Sequence, residues 1–205
     1  MINDELRKYI ETEILPLYDH FDAAHRRDHA DMVISQSIEI ARHYDVDEDM
    51  VYAIAAFHDT GLVQGRETHH LVSGKIIREN ERLRLWFSDE QIETMAQAAE
   101  DHRASSKSEP RSIYGKIVAE ADRYIETDQI IERTVQYGLE HYPHLDREAQ
   151  IIRAEGHLRE KYGEEGYLKL WFPESPNAAR LRALQSLIKD EVMLRAKIGE
   201  ILSRL

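Results

Sequence analysis

An all-α fold is predicted by three features of the sequence. The 205 residues include only five prolines and nine glycines. No long alternation of apolar and polar residues marks a strand, and apolar residues recur at the three-and-four spacing of a helix face. The length suits one compact domain, and 42% hydrophobic content supplies its core. Helices are expected over about 3–15, 29–44, 48–59, 70–83, 89–102, 112–140 with a break, 147–162 and 176–203.

Taken in order, the first helix lies in MINDELRKYIETEILPLYDH, which is charged throughout and lacks the apolar centre of a secretory signal. The second carries Val33, Ser37, Ile38 and Ala41 on one face, with His29 one turn before Val33. The third starts after Asp47, and Val51, Ile54, Ala55 and His58 fall at i, i+3, i+4 and i+7, so the histidine continues the apolar stripe. Gly61 and Gly65 punctuate the turn after it. His70 leads the fourth helix, with Gly74 and Ile77 on its face. The fifth starts at Ser88-Asp89 and repeats the pattern in Met95, Ala98, Ala99 and His102. Arg103 to Arg111, RASSKSEPR, reads as an exposed loop. Tyr114, Val118, Ala121 and Asp122 then give a similar stripe ending in a carboxylate. Beyond Gly163 and Gly166 a long amphipathic helix carries Leu181, Leu184, Leu187, Ile188, Val192, Ile198 and Leu202. It packs on the domain in the simplest reading, and a homodimer contact through it is the alternative.

Composition excludes several functions. The formal charge of −12, from 27 basic and 39 acidic residues, argues against binding extended nucleic acid or an anionic membrane surface. Any phosphate must meet a local positive centre. With no cysteine, disulfides, thiolate metal sites and thiol nucleophiles are ruled out. No stretch approaches membrane-spanning length, and a cytoplasmic protein is expected. Eleven histidines without a contiguous tract require individual reading.

Five helices thus direct histidine or aspartate toward the interior. Buried separately, each group would cost a few kcal/mol, and lone carboxylates would protonate. One shared divalent cation removes that cost. Nitrogen and oxygen donors without sulfur suit Mn²⁺, Fe²⁺, Co²⁺, Ni²⁺, Zn²⁺ or Mg²⁺, and the mixture favours octahedral ions over a closed structural zinc. Ala55, Ala56, Ala98, Ala99 and Ala121 are small enough to let the helices converge.

The ordered set His29, His58-Asp59 and Asp122 resembles the H…HD…D signature of the HD-domain superfamily of metal-dependent phosphohydrolases. The likeness spans about residues 20–125, leaving a helical extension from about 126 to 205 within the same single domain. HRRDH at 25–29 looks like the HDxxH entry of many members, His70-x-x-x-Gly74 like their HxxxG helix start, and Asp101-His102 stands where many have two histidines. Leu62 occupies the lysine position of members with HDxGK, and no GYP follows the doublet, which disfavours the cyclic-di-nucleotide branch.

The resemblance implies one or two divalent ions per chain. His29, His58, Asp59 and Asp122 would hold one, and Asp59 would bridge to a second held by His70 and His102. It further implies hydrolysis of a small phosphate ester or anhydride, a nucleotide foremost, with Asp59 holding the attacking water. His70 or His102 would protonate the leaving oxygen if not a ligand. Arg26, Arg103 and Arg123, close to the motifs in sequence, are candidates to hold phosphate, ahead of Arg66 and Lys107. His25, one turn from His29, could orient a ligand or the substrate. Two other functions remain to be weighed: a non-catalytic nucleotide sensor, and a mixed-valent di-iron oxygenase.

Overall fold

A computed structural model describes residues 2–21, 26–103 and 108–205. His25 and Lys107, and residues 104–107 of the expected exposed loop, lie outside the described residues. The described residues are helical without a strand, so the fold is all-α. Where the sequence reading drew one domain, the chain forms two compact units, Met1–Arg123 and Tyr124–Leu205.

The first unit contains α1 (Asp4–Tyr9), α2 (Arg27–Ala41), α3 (Glu48–Phe57), α4 (His69–Glu79), α5 (Asp89–Asp101) and α6 (Ile113–Asp122). Local chemistry sets the starts. Asn3 caps α1, Asp47 caps α3, and Ser88 with Gln91 forms a reciprocal capping box on α5. The expected first helix is α-helical only to Tyr9 and continues as a π segment, Ile10–Ile14, and a 3₁₀ segment, Leu15–His20. Pro16, lacking an N–H, falls in the first turn of that last segment. This irregular stretch turns Leu15 and Tyr18 into the core, at 2% and 0% exposure.

Helix α3 is the core of this unit, with every residue from Met50 to Phe57 buried. An element enclosed on all sides buries its whole circumference, so its neighbours need small residues where backbones cross. Ala30, Ala55, Ala56, Ala98, Ala99 and Ala121 are all fully buried. On α6, a Cβ on Gly115 would meet Pro110 Cβ at 3.1 Å and Ala98 Cα at 3.5 Å, so the α5–α6 crossing leaves little room for a side chain. Polar ties fix the crossings. Gln36 Nε2 donates to the Ala121 carbonyl (3.4 Å), Tyr114 Oη accepts from the Asp47 amide (3.0 Å), and Arg78 on α4 holds Glu93 (2.7 Å) and Glu100 (2.5 Å) on α5.

The second unit contains α7 (Thr127–His141), α8 (Arg147–Tyr162), α9 (Pro176–Lys189) and α10 (Glu191–Arg204). Its core is formed by Ile131, Val135, Ile151, Leu158, Leu184, Leu194, Ile198 and Ile201 with their neighbours. The expected 112–140 helix is broken by residues 123–126, between α6 and α7. The expected 176–203 helix also breaks, at Asp190, which ends α9 and caps α10 through Met193 N–H. That break resets the register. Leu184, Ile188 and Ile198 keep their buried positions, while Val192 leaves the stripe and is 79% exposed.

Candidate metal centre

The site forms where helix ends meet. His29 lies in the first turn of α2, His58 just beyond α3, His69 at the start of α4, His102 just beyond α5, and Asp122 is the last residue of α6. Three of the five elements contribute C-terminal ends, whose partial negative charge favours a cation, against two N-termini. Asp59 lies at the middle. Its Oδ2 is 3.3 Å from His58 Nε2 and 3.6 Å from His29 Nε2, while its Oδ1 is 3.3 Å from both His69 Nε2 and His102 Nε2. Asp122 Oδ1 completes the first set at 3.2 Å from His29 Nε2 and 3.8 Å from His58 Nε2.

The orientation of three imidazoles is set by backbone. His58, His69 and His102 each donate Nδ1–H to the carbonyl three residues earlier, namely Ala55 (2.7 Å), Arg66 (2.8 Å) and Ala99 (2.6 Å). A carbonyl only accepts, so the proton must be on Nδ1 and each neutral ring presents a bare Nε2 lone pair. His69 Nε2 and His102 Nε2 then face each other at 3.3 Å, with Asp59 Oδ1 as the third acceptor. His58 Nε2 faces His29 Nε2 at 3.2 Å. Clustered acceptors repel unless something positive lies among them. Donors ~2.1 Å from one ion stand about 3.0 Å apart at right angles and about 3.4 Å apart in a tetrahedron. The three spacings of the His69, His102 and Asp59 Oδ1 set, each 3.3 Å, fall in that range, and those of the other set run from 3.2 to 3.8 Å. In two groups, His29-His58-Asp59 and Asp59-His69-His102, all the potential ligand atoms lie within 4.8 Å of one another.

Protons show the same field. Burial pulls the His29 and His102 imidazoles down, yet Asp122 and Asp59 outweigh it, and His29 is raised to about 10. Burial would raise the Asp59 carboxyl, but the surrounding histidines hold it well below the usual carboxylate range. A positive species at this position is therefore favoured, and a divalent cation competes with the proton.

Residues 26–127 match the family model of the HD domain. The chain belongs to the HD-domain superfamily. No curated protein and no solved structure matches it. Superfamily membership and the His/Asp cluster together support a metal-dependent hydrolase class with a divalent metal site.

Within this HD domain the structure brings together His29, His58, Asp59, His102 and Asp122. It does not bring His70 to them: His69 stands in the expected place of His70. Successive helical residues point about 100° apart, so only one of the adjacent pair faces Asp59, and the roll of α4 decides which. Gly61 sets that roll. A Cβ there would collide with the His69 carbonyl oxygen and lie 2.6 Å from Ser73 N, and the Gly61 amide donates to Ser73 Oγ at 2.9 Å. Ser73, four residues after His69, is thus the small residue on the site face. Gly74, the glycine of the expected HxxxG helix start, instead faces Glu100 and the Ala96 carbonyl of α5.

Because the Gly61 neighbour is backbone and cannot rotate away, Gly61→Ala is expected to destabilise the domain by about 3 kcal/mol and to separate His69 from Asp59. Thermal unfolding checks the first effect, and metal stoichiometry the second.

His58, Asp59 and His102 are sealed, with side chains 0%, 4% and 2% exposed, whereas His29, His69 and Asp122 are 17%, 12% and 20% exposed. The centre therefore opens along the edge formed by the latter three. Arg103 lies on this side, donating to the Glu67 carbonyl (2.9 Å) and close enough to depress His69 and His70 electrostatically after burial has done so. Arg123 follows Asp122 and is half-buried, with burial pulling its guanidinium down. Arg26 caps α2 with its carbonyl and its side chain is exposed. No helix among the described residues is long and apolar enough to cross a membrane.

Proposed function

We propose that this protein is a metal-dependent phosphohydrolase acting on a small phosphate ester or anhydride, with nucleotides the foremost class. The observation carrying this reading is a single buried carboxylate, Asp59, whose two oxygens face two separate sets of nitrogen lone pairs. His29, His58, Asp59 and Asp122 would hold one ion, and Asp59, His69 and His102 a second. When bound, divalent cations there supply an acidified water and offset charge developing on the phosphoryl oxygens.

The chain's own groups do the rest. Nδ1–H bonds to backbone hold three of the rings in register. Asp59 spans both sets and accepts the proton side of the attacking water. His70, released from ligation and half-buried beside His69, would be the group to donate to a phosphate or leaving oxygen. Arg103, tied to the Glu67 carbonyl just before α4, Arg123, next to Asp122, and Arg26, at the start of the helix bearing His29, would hold the phosphate. In a chain of net charge −12, these cations and the metal provide the local attraction a phosphate requires.

The test is to strip the protein of metal, reload it with Mn²⁺, Co²⁺ or Mg²⁺, and screen nucleoside mono-, di- and triphosphates and sugar phosphates for phosphate release. Metal-dependent release under anaerobic conditions is expected. Tight nucleotide binding without product would indicate a sensor. Because a bridging carboxylate between nitrogen-rich sets also suits two irons, turnover that requires iron and oxygen would indicate an oxygenase.

A further inference from the structure

We infer that Tyr18 is a positioning residue for the metal centre, acting through the backbone of Asp59 from a segment that precedes the matched HD domain. This rests on the reading of Asp59 as the shared metal ligand. Tyr18 has no exposed surface. Its hydroxyl donates to the Ala56 carbonyl at 3.0 Å and accepts the Asp59 amide at 3.2 Å, so one oxygen bridges both sides of the turn that carries the HD doublet.

That turn needs an outside partner. Helix α3 ends at Phe57, and the Ala55 carbonyl receives Nδ1–H of His58. The Asp59 amide goes to the tyrosine, at φ −109° and ψ 5°. Those angles aim the carboxylate so that Oδ1 meets His69 and His102 while Oδ2 meets His58 and His29. The tyrosine is itself fixed, with Phe21 edge-on at 5.2 Å and the His58 ring at 6.2 Å between centroids. Without the hydroxyl, a buried carbonyl and a buried amide lose their partner, and the turn can relieve both only by rotating the peptide that orients Asp59. Groups that orient metal ligands without touching the ion typically change affinity 10–100-fold when removed.

The experiment is Co²⁺ titration of the full chain, wild type against Tyr18→Phe, read by the visible ligand-field spectrum and by equilibrium dialysis. Tyr114→Phe is the control, since Tyr114 Oη also accepts a backbone amide, that of Asp47 (3.0 Å), away from the centre. The expected result is roughly tenfold weaker Co²⁺ binding and a shifted spectrum for Tyr18→Phe, with wild-type affinity and spectrum for Tyr114→Phe. Equal affinity and an identical spectrum in Tyr18→Phe would overturn the role of Tyr18 and leave the metal centre standing. A comparable loss in Tyr114→Phe would also overturn it, by showing a general stability effect. A wild-type chain that binds no cobalt would overturn both the inference and the reading beneath it.

Discussion

Asp59→Ala is expected to lose both metal ions together and to lower phosphate release by about 10³-fold or more, the equivalent of several kcal/mol of charge stabilisation. Among the described residues, Asp59 is the one member common to both groups: Oδ1 lies 3.3 Å from His69 and His102, and Oδ2 lies 3.3 Å from His58 and 3.6 Å from His29. Truncation removes a donor from each, and leaves four buried or half-buried imidazoles without the anion that balances them. Structural damage should be small, because the residue's amide still has Tyr18 and its carbonyl still accepts from Leu62. Circular dichroism should therefore show an unchanged helical protein, while elemental analysis and single-turnover rates show the loss. Retained metal with lost activity would assign Asp59 to chemistry alone.

The second large effect separates two neighbours. His69→Ala should reduce the metal count from two per chain to one and cut turnover by about 10²–10³-fold, since the second set would keep only Asp59 and His102. His70→Ala should retain both ions and weaken phosphate handling, because its ring belongs to neither donor group yet lies edge-on to His69 at 5.6 Å between centroids. Elemental counts on the two variants check the register of α4 directly. The reverse outcome, with the ion lost in His70→Ala, would mean that α4 is rolled by one residue in solution.

Most of this centre can be read from the chain because buried ionisable groups on an apolar stripe are costly and so conspicuous. His58 and His102 continue the stripes of their helices, and both are buried with Nδ1 held by the carbonyl three residues back. The His69/His70 choice was not legible. It depends on the roll of α4 against Gly61, a contact between segments for which neither histidine carries a local signal; Ser73 paired with Gly61 was the available clue. Tyr18 was hidden for a related reason. It lies beyond the helix expected over 3–15, in the 3₁₀ segment Leu15–His20, and nothing local marks its hydroxyl as the partner of an amide 41 residues away. The Asp190 break was masked by composition, because an apolar residue such as Val192 at the expected spacing looks the same in one helix as in two.

The central claim is that facing imidazole lone pairs and one shared carboxylate are held together by cations. Equilibrium dialysis of the metal-stripped chain against Mn²⁺, followed by elemental analysis, tests it most directly. The account predicts two ions per wild-type chain, and none in Asp59→Ala. A wild-type chain that takes up no divalent metal at millimolar concentration while remaining folded would contradict it.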